Sequence, residues 1–259
     1  MMNNAFALAG IVIKELYRRK DFYVLFILTA LLTLLLGSIN FFNEQNIARY
    51  VKEFCLLLIW IASLVIAVTT TARQIPAERE QRTIFPLLAK PVSRGDLIFG
   101  KFLGCWIASG IVLVVFYVFF AVITGAREHH IHVAAYFQAF WMHWMMLGVV
   151  VGMVLLGSIV FAAPSSNSTI SFVVILGILL VGRHLNKVAD SLAEPTSSIL
   201  YTVYYVIPHL EFYDLRDLIV HNAGSAPWWA VGVATIYAMV YAALFQFVAW
   251  MTFRRKALN

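Results

Sequence analysis

Four groupings of side chains in this sequence have the types and spacing to do chemistry. Gly95-Asp96-Leu97-Ile98-Phe99-Gly100-Lys101 fits the first seven positions of a nucleotide-binding P-loop, a turn whose backbone amides cradle phosphates. Its eighth position is Phe102, where a Ser or Thr would ligand Mg²⁺. No strand pattern precedes it and an apolar run begins inside it, so no ATP site is expected here. His129, His130 and His132, with Arg127 and Glu128 beside them and Met142, His143, Met145 and Met146 nearby, are donor types that suit copper or zinc. No cysteine joins them, and packing at a membrane interface explains them as well. The expectation is no bound metal, with these histidines as weak candidates and His143 hydrogen-bonded rather than catalytic. Glu211, Asp214 and Asp217 surround Arg216 but lack a nucleophile or second motif; they are expected to cap and pair short helices. Arg183, His184 and Lys187 form a cationic group that suits either an anionic substrate or lipid headgroups.

The fullest mixture lies in RQIPAEREQRTIFPLLAKPVSRGDLIFGK, Arg73 to Lys101, with six basic and three acidic residues around an apolar island, Ile84 to Ala89. Spacing predicts a short helix over Glu78 to Leu88, with Ile84, Leu87 and Leu88 on one face and Arg79, Glu80 and Arg82 elsewhere. Pro91 and Gly95 then break it. Such a helix beside a membrane either docks a soluble partner or meets headgroups, and composition alone leaves both open.

What positions these groups is a chain built for lipid. The 259 residues are 62% hydrophobic and 12% charged, with a mean hydropathy of +0.84, against roughly a quarter charged in soluble domains. That length holds six spans of roughly 20 residues and leaves none for a separate soluble catalytic domain. The fold class expected is an all-α polytopic membrane protein, one domain over residues 1–259. An interfacial amphipathic helix is expected at 4–19, with Phe6, Ala9, Ile13, Leu16 and Tyr17 at helical spacing. Spans are expected at about 22–42, 54–72, 97–124, 136–163, 165–182 and 228–253, with 73–96 cytoplasmic and 185–227 external.

Lys101 is placed to snorkel at the start of the third span, and Pro164 to Ser168 reads as a tight turn. Ile199 to Ile207 is apolar, but nine residues are too few to cross as a helix, so interfacial or re-entrant helices are expected there. With both termini inside, cytoplasmic segments carry 13 Lys and Arg and external ones six, which fits the positive-inside bias. The pI near 9.4 therefore reads as orientation, and no nucleic-acid partner is expected. Cys55 and Cys105 sit in apolar runs as small packing residues. Gly100, Gly104 and Ala108, and again Gly148 and Gly152, recur every four residues, as at close helix contacts within the chain or against a second copy.

Arg73, Glu78 and Glu80, Thr83, the Leu87-Leu88 pair, Lys90-Pro91-Val92-Ser93-Arg94 and Gly100-Lys101 together resemble the type-2 ABC transporter permeases. The likeness extends over the whole chain to the amphipathic N-terminal helix, the six spans and the short helices before the sixth. It is greatest to small single-domain permeases such as those of nitrous-oxide reductase maturation. The resemblance implies a permease, most simply of an exporter, in the bacterial cytoplasmic (inner) membrane, paired with a second copy and with two copies of a separate cytoplasmic ATPase that holds the ATP and Mg²⁺. It implies that Glu78, Arg79, Glu80, Thr83, Leu87 and Leu88 couple to that ATPase, and that Lys90, Pro91 and Arg94 shape the return to the membrane. The other classes are a non-transporting membrane anchor or assembly factor, and an intramembrane enzyme, which would need polar residues that the spans nearly lack.

Overall fold

Long apolar runs become helices in a bilayer because each backbone amide must find its partner inside its own segment. A computed structural model describes residues 2–18, 20–38, 44–80, 93–128 and 132–255, and among them there is no strand. The helices are α1 (Met2–Arg18), α2 (Lys20–Ser38), α3 (Glu44–Ala72), α4 (Gln74–Glu80), α5 (Arg94–Glu128), α6 (Val133–Val160), α7 (Pro164–Val181), α8 (Leu185–Asp190), α9 (Thr196–Val206), α10 (Arg216–Val220) and α11 (Trp228–Arg255). Five stretches among the described residues are long and apolar enough to cross a membrane: Arg49–Glu80, Arg94–Ala126, Val133–Val160, Pro164–Val181 and Trp228–Arg255. In α2 the apolar stretch is Phe22–Leu35, shorter than these five, so the expected first span rests on it.

Helix α6 is the axis of the bundle, with 72% of its apolar window buried against 22% for α7 and for α11. Gly152 admits α11, where an added Cβ would meet Phe245 and Ala242. Trp106 of α5 and Trp144 of α6 stack with centroids 4.9 Å apart. Each indole Nε1 donates to the other's backbone carbonyl at 3.0 Å. Gly148 and Gly110, each one turn beyond a tryptophan, leave the space that the opposite ring fills.

Gly100 and Gly104 of α5 pack against Ala5, Leu8, Ala9 and Val12 of α1. The glycine spacing therefore serves contacts inside the chain. The buried stripe of α1 is Ala5, Leu8, Ala9, Val12 and Leu16, while Phe6 is 56% exposed. This corrects the expected face: Ala5 and Ala9 are small enough for close approach to the glycines, and the bulky Phe6 turns outward.

Several boundaries also differ. Helix α3 begins at Glu44, ten residues before the expected span; at about 1.5 Å per residue it outruns the ~30 Å hydrocarbon core. Pro164 to Ser168 is the first turn of α7 rather than a loop, with Pro164 where its missing N–H costs nothing. The connection is Phe161 to Ala163.

The ends of the bundle collect different segments. At one, Lys52 Nζ donates to Asn222 Oδ1 at 2.8 Å, and Arg49 to His221 Nε2 at 2.5 Å. The Gln138 amide there brackets the backbone of Ala226, and Arg216 lies over the Trp60 ring at 5.0 Å. These bonds stitch 207–227 onto α3 and α6. The short helix α9 covers all but the last of the nine apolar residues that are too few to cross, and α8 precedes it.

Candidate coupling site

At the opposite end, α3 stops at Ala72 and α4 restarts at Gln74 after a single turn residue. Proline in a first helical turn is tolerated because those N–H groups lack intrahelical partners. Pro76 nevertheless stands four residues after Ala72 and has no N–H to offer its carbonyl. Asn167, in the first turn of α7, supplies the missing donor: its Nδ2 lies 3.4 Å from Ala72 O and 3.1 Å from Val154 O. Ser171 Oγ holds the amide oxygen at 3.3 Å, and a Cβ at Gly157 would overlap that oxygen. One fully buried asparagine thus joins α3, α6 and α7 at the break before α4.

Gln74 and Lys101 form the second tie. Gln74 Nε2 donates to Thr70 O at 3.2 Å, and Lys101 Nζ donates to Gln74 Oε1 at 3.1 Å. The same ammonium is 2.5 Å from Glu78 Oε1. Lys101 is 4% exposed, so it does not snorkel: α4 approaches α5 closely enough that Gln74 and Glu78 meet the ammonium inside the protein.

Two guanidiniums complete the arrangement. Arg79 reaches Ile159 O at 3.5 Å, at the C-terminus of α6. Arg94 donates to Phe253 O at 3.1 Å and to Arg254 O at 2.9 Å, at the C-terminus of α11. Helix C-termini present unpaired carbonyls and partial negative charge, so a cation is favoured at each. Ser93 and Asp96 close the start of α5 reciprocally, with Asp96 N to Ser93 Oγ at 3.0 Å and Ser93 N to Asp96 Oδ2 at 3.3 Å.

Of the sequence candidates, Glu78, Arg79 and Arg94 are therefore engaged within the chain, while Glu80 is exposed at the tip of α4. Helix α4 starts at Gln74, four residues before the predicted start at Glu78, and residues 81–88 of the predicted helix lie outside the described residues. Thr83, Leu87, Leu88, Lys90 and Pro91 lie outside the described residues, as do His129 and His130. His132 is exposed beside α6, and among the described residues no group of three metal-type ligands gathers. The P-loop-like heptad is helical throughout, so its amides are committed to α5. Sequence reasoning missed Asn167, Gln74 and the Ser93–Asp96 cap; only the cap had a local signal, Ser followed three residues later by an acid.

A second polar group lies toward the other end. Ser63 Oγ is 2.9 Å from His143 Nε2, and Tyr117 OH is 3.5 Å from Nδ1. His143 is thus hydrogen-bonded in the core. Asp214 and Arg216 pair at 2.8 and 2.6 Å. Burial pushes the Asp214 carboxyl up, but the Arg216 hydrogen bonds and charge outweigh it and hold it below the usual range. The hydrogen bonds that Arg216 donates to Asp214 raise the guanidinium in turn. Glu211 pairs with His209 at 3.2 Å.

The model of the ABC-2 family transporter proteins matches residues 9–258. The chain belongs to that family. A comparison with curated proteins finds no match. As an ABC-2 family transporter protein it is an integral membrane protein and a permease subunit of an ABC transporter. It is the transport component rather than the catalytic one, and the family implies association with an ABC ATPase subunit.

Proposed function

We propose that the chain is the permease of an ABC exporter in a bacterial cytoplasmic membrane, with six spans and both termini inside. It works as a homodimer on two copies of a separate ATPase. The segment 73–96 is its coupling element. Glu80 and the stretch through Thr83, Leu87 and Leu88 form the contact with the ATPase, and Lys90 and Pro91 shape the return to α5. Glu78, Arg79 and Arg94 act behind that contact as the fastenings that pass its movement to α5, α6 and α11.

The observation that carries this reading is the pattern of bonds at one end of the bundle. Ion-paired Lys101 and the two capped helix ends come from both edges of one segment. A displacement of its described ends, at Glu78–Arg79 and at Arg94, cannot occur without moving the helices they hold or breaking those bonds. A two-state transporter needs such an element, since ATP-driven closure of the ATPase changes access only through helices that ride on it. The positive-inside bias supports a cytoplasmic location for this end.

The experiment is co-purification of the permease with its ATPase, followed by ATP hydrolysis in the reconstituted complex. Glu80→Arg and Leu87→Ala are expected to lower hydrolysis or its stimulation by the permease. Absence of a co-purifying ATPase, with full function retained in both variants, would overturn the reading.

A further inference from the structure

Among the described residues, Gln246 of α11 has both side-chain polar atoms buried without a hydrogen-bond partner. An unpaired amide in hydrocarbon is unfavourable, so its surroundings indicate what completes it. Gln246 lies where two cavities meet. One, of about 250 Å³, runs between α5 and α11 over Phe102, Trp106 and Gly148. The other, of about 370 Å³, continues past Ile98 to Gly95 and Trp250. Phe99 and Gln246 line both, so together they form one trough with a single amide in otherwise apolar walls. Phe99, Met239 and Phe247 flank it and are 49%, 50% and 57% exposed, which opens it sideways.

The end of the trough is basic. Arg254 lies over the Trp250 ring at 5.7 Å, and Arg254 and Arg255 are exposed. Arg94 is spent on the carbonyls of Phe253 and Arg254. The nearby acid, Asp96, is tied to the backbone of Ser93. Gln246 is two turns inside Arg254, about 12 Å along the helix. The order along α11 is therefore cation, indole, amide, apolar trough. A phospholipid has the matching order of anionic phosphate, interface, ester carbonyl and acyl chain.

We propose that this trough binds an anionic phospholipid of the leaflet on the Arg94 side. One acyl chain lies over Phe102 and Gly148, the Gln246 amide turns in to donate to an ester carbonyl, and the phosphate rests on Arg254 and Arg255. The site needs only the membrane setting and is independent of which cargo the permease moves.

The test uses the full chain in detergent, titrated with phosphatidylglycerol or phosphatidylcholine, reading the thermal midpoint and bound lipid by native mass spectrometry. Phosphatidylglycerol is expected to bind more tightly and raise the midpoint further. Arg254→Gln with Arg255→Gln is expected to weaken it about tenfold. Ala243→Phe, which fills the trough, is expected to abolish the excess over phosphatidylcholine while leaving the lipid-free midpoint unchanged; Met239→Trp on the same wall serves if that variant does not fold. Gln246→Leu is expected to weaken binding without altering the lipid-free fold. Equal binding of the two lipids, an undiminished phosphatidylglycerol effect in the filled variants, or a changed monomer–dimer ratio in place of lost lipid would each overturn the proposal.

Discussion

Lys101 and Glu78 form an ion pair of 2.5 Å between the start of α5 and the short helix α4. Lys101 is 4% exposed and shares its ammonium with Gln74. A charge buried this way is costly once its partner is removed, whereas a whole pair replaced by apolar groups of similar size is often tolerated. Lys101→Met alone is therefore expected to destabilise the protein by about 3–5 kcal/mol, read by denaturant unfolding in detergent. Lys101→Met with Glu78→Met is expected to regain most of that stability. If the recovered variant still binds the ATPase but no longer drives transport, the pair serves transmission as well as folding.

Asn167 and Pro76 offer an independent check of the break before α4. Asn167→Ala leaves the Ala72 carbonyl without a donor and is expected to cost about 1–3 kcal/mol. Pro76→Ala returns a backbone N–H four residues after Ala72, so the double variant should lose less than the sum of the two single changes. Strict additivity in this cycle would mean that Asn167 is not replacing the proline's missing donor.

Where α5 crosses α6, the reciprocal tryptophans make a sharper steric prediction. A Cβ at Gly110 would lie 2.5 Å from Trp144 Nε1, and one at Gly148 2.9 Å from Trp106 Nε1. Both rings are held by stacking and by a hydrogen bond, so neither can swing aside cheaply. Gly110→Ala and Gly148→Ala are each expected to cost about 1–3 kcal/mol, visible as a lowered thermal midpoint, and Trp144→Leu should partly relieve Gly110→Ala.

Asp214 gives the pH dependence at the other end. Its folded pKa is lowered by Arg216, so the unfolded chain binds the proton more readily. The pair's contribution is then fully present above the ordinary carboxylate value of 3.8 and is lost as pH falls through the lower, folded one. Tryptophan fluorescence, which reports Trp60 beneath Arg216, should change below that value. In Asp214→Asn this acid-side change should be absent.

Much of the fold was legible because hydrocarbon leaves the chain few choices. The last four of the expected spans begin and end within a few residues of the helices α5, α6, α7 and α11, since apolar length alone locates such helices. The face of α1 was misread because Phe6 looks like a core residue and Ala5 does not, while only the partner glycines decide which approaches. Lys101 was expected at the surface because nothing local to it announces Gln74 and Glu78, more than twenty residues earlier. Asn167 was hidden for the same reason: its role depends on a proline in another helix.

Site-specific photo-cross-linking from position 80 in the complete transporter, in native membranes, tests the central claim most directly. The probe at Glu80 is predicted to capture the ATPase subunit, with capture that changes between nucleotide-free and ATP-bound states, while a probe at Trp229 captures none. Capture of lipid alone from position 80, or labelling of that position by an impermeant reagent added from outside, would contradict the account.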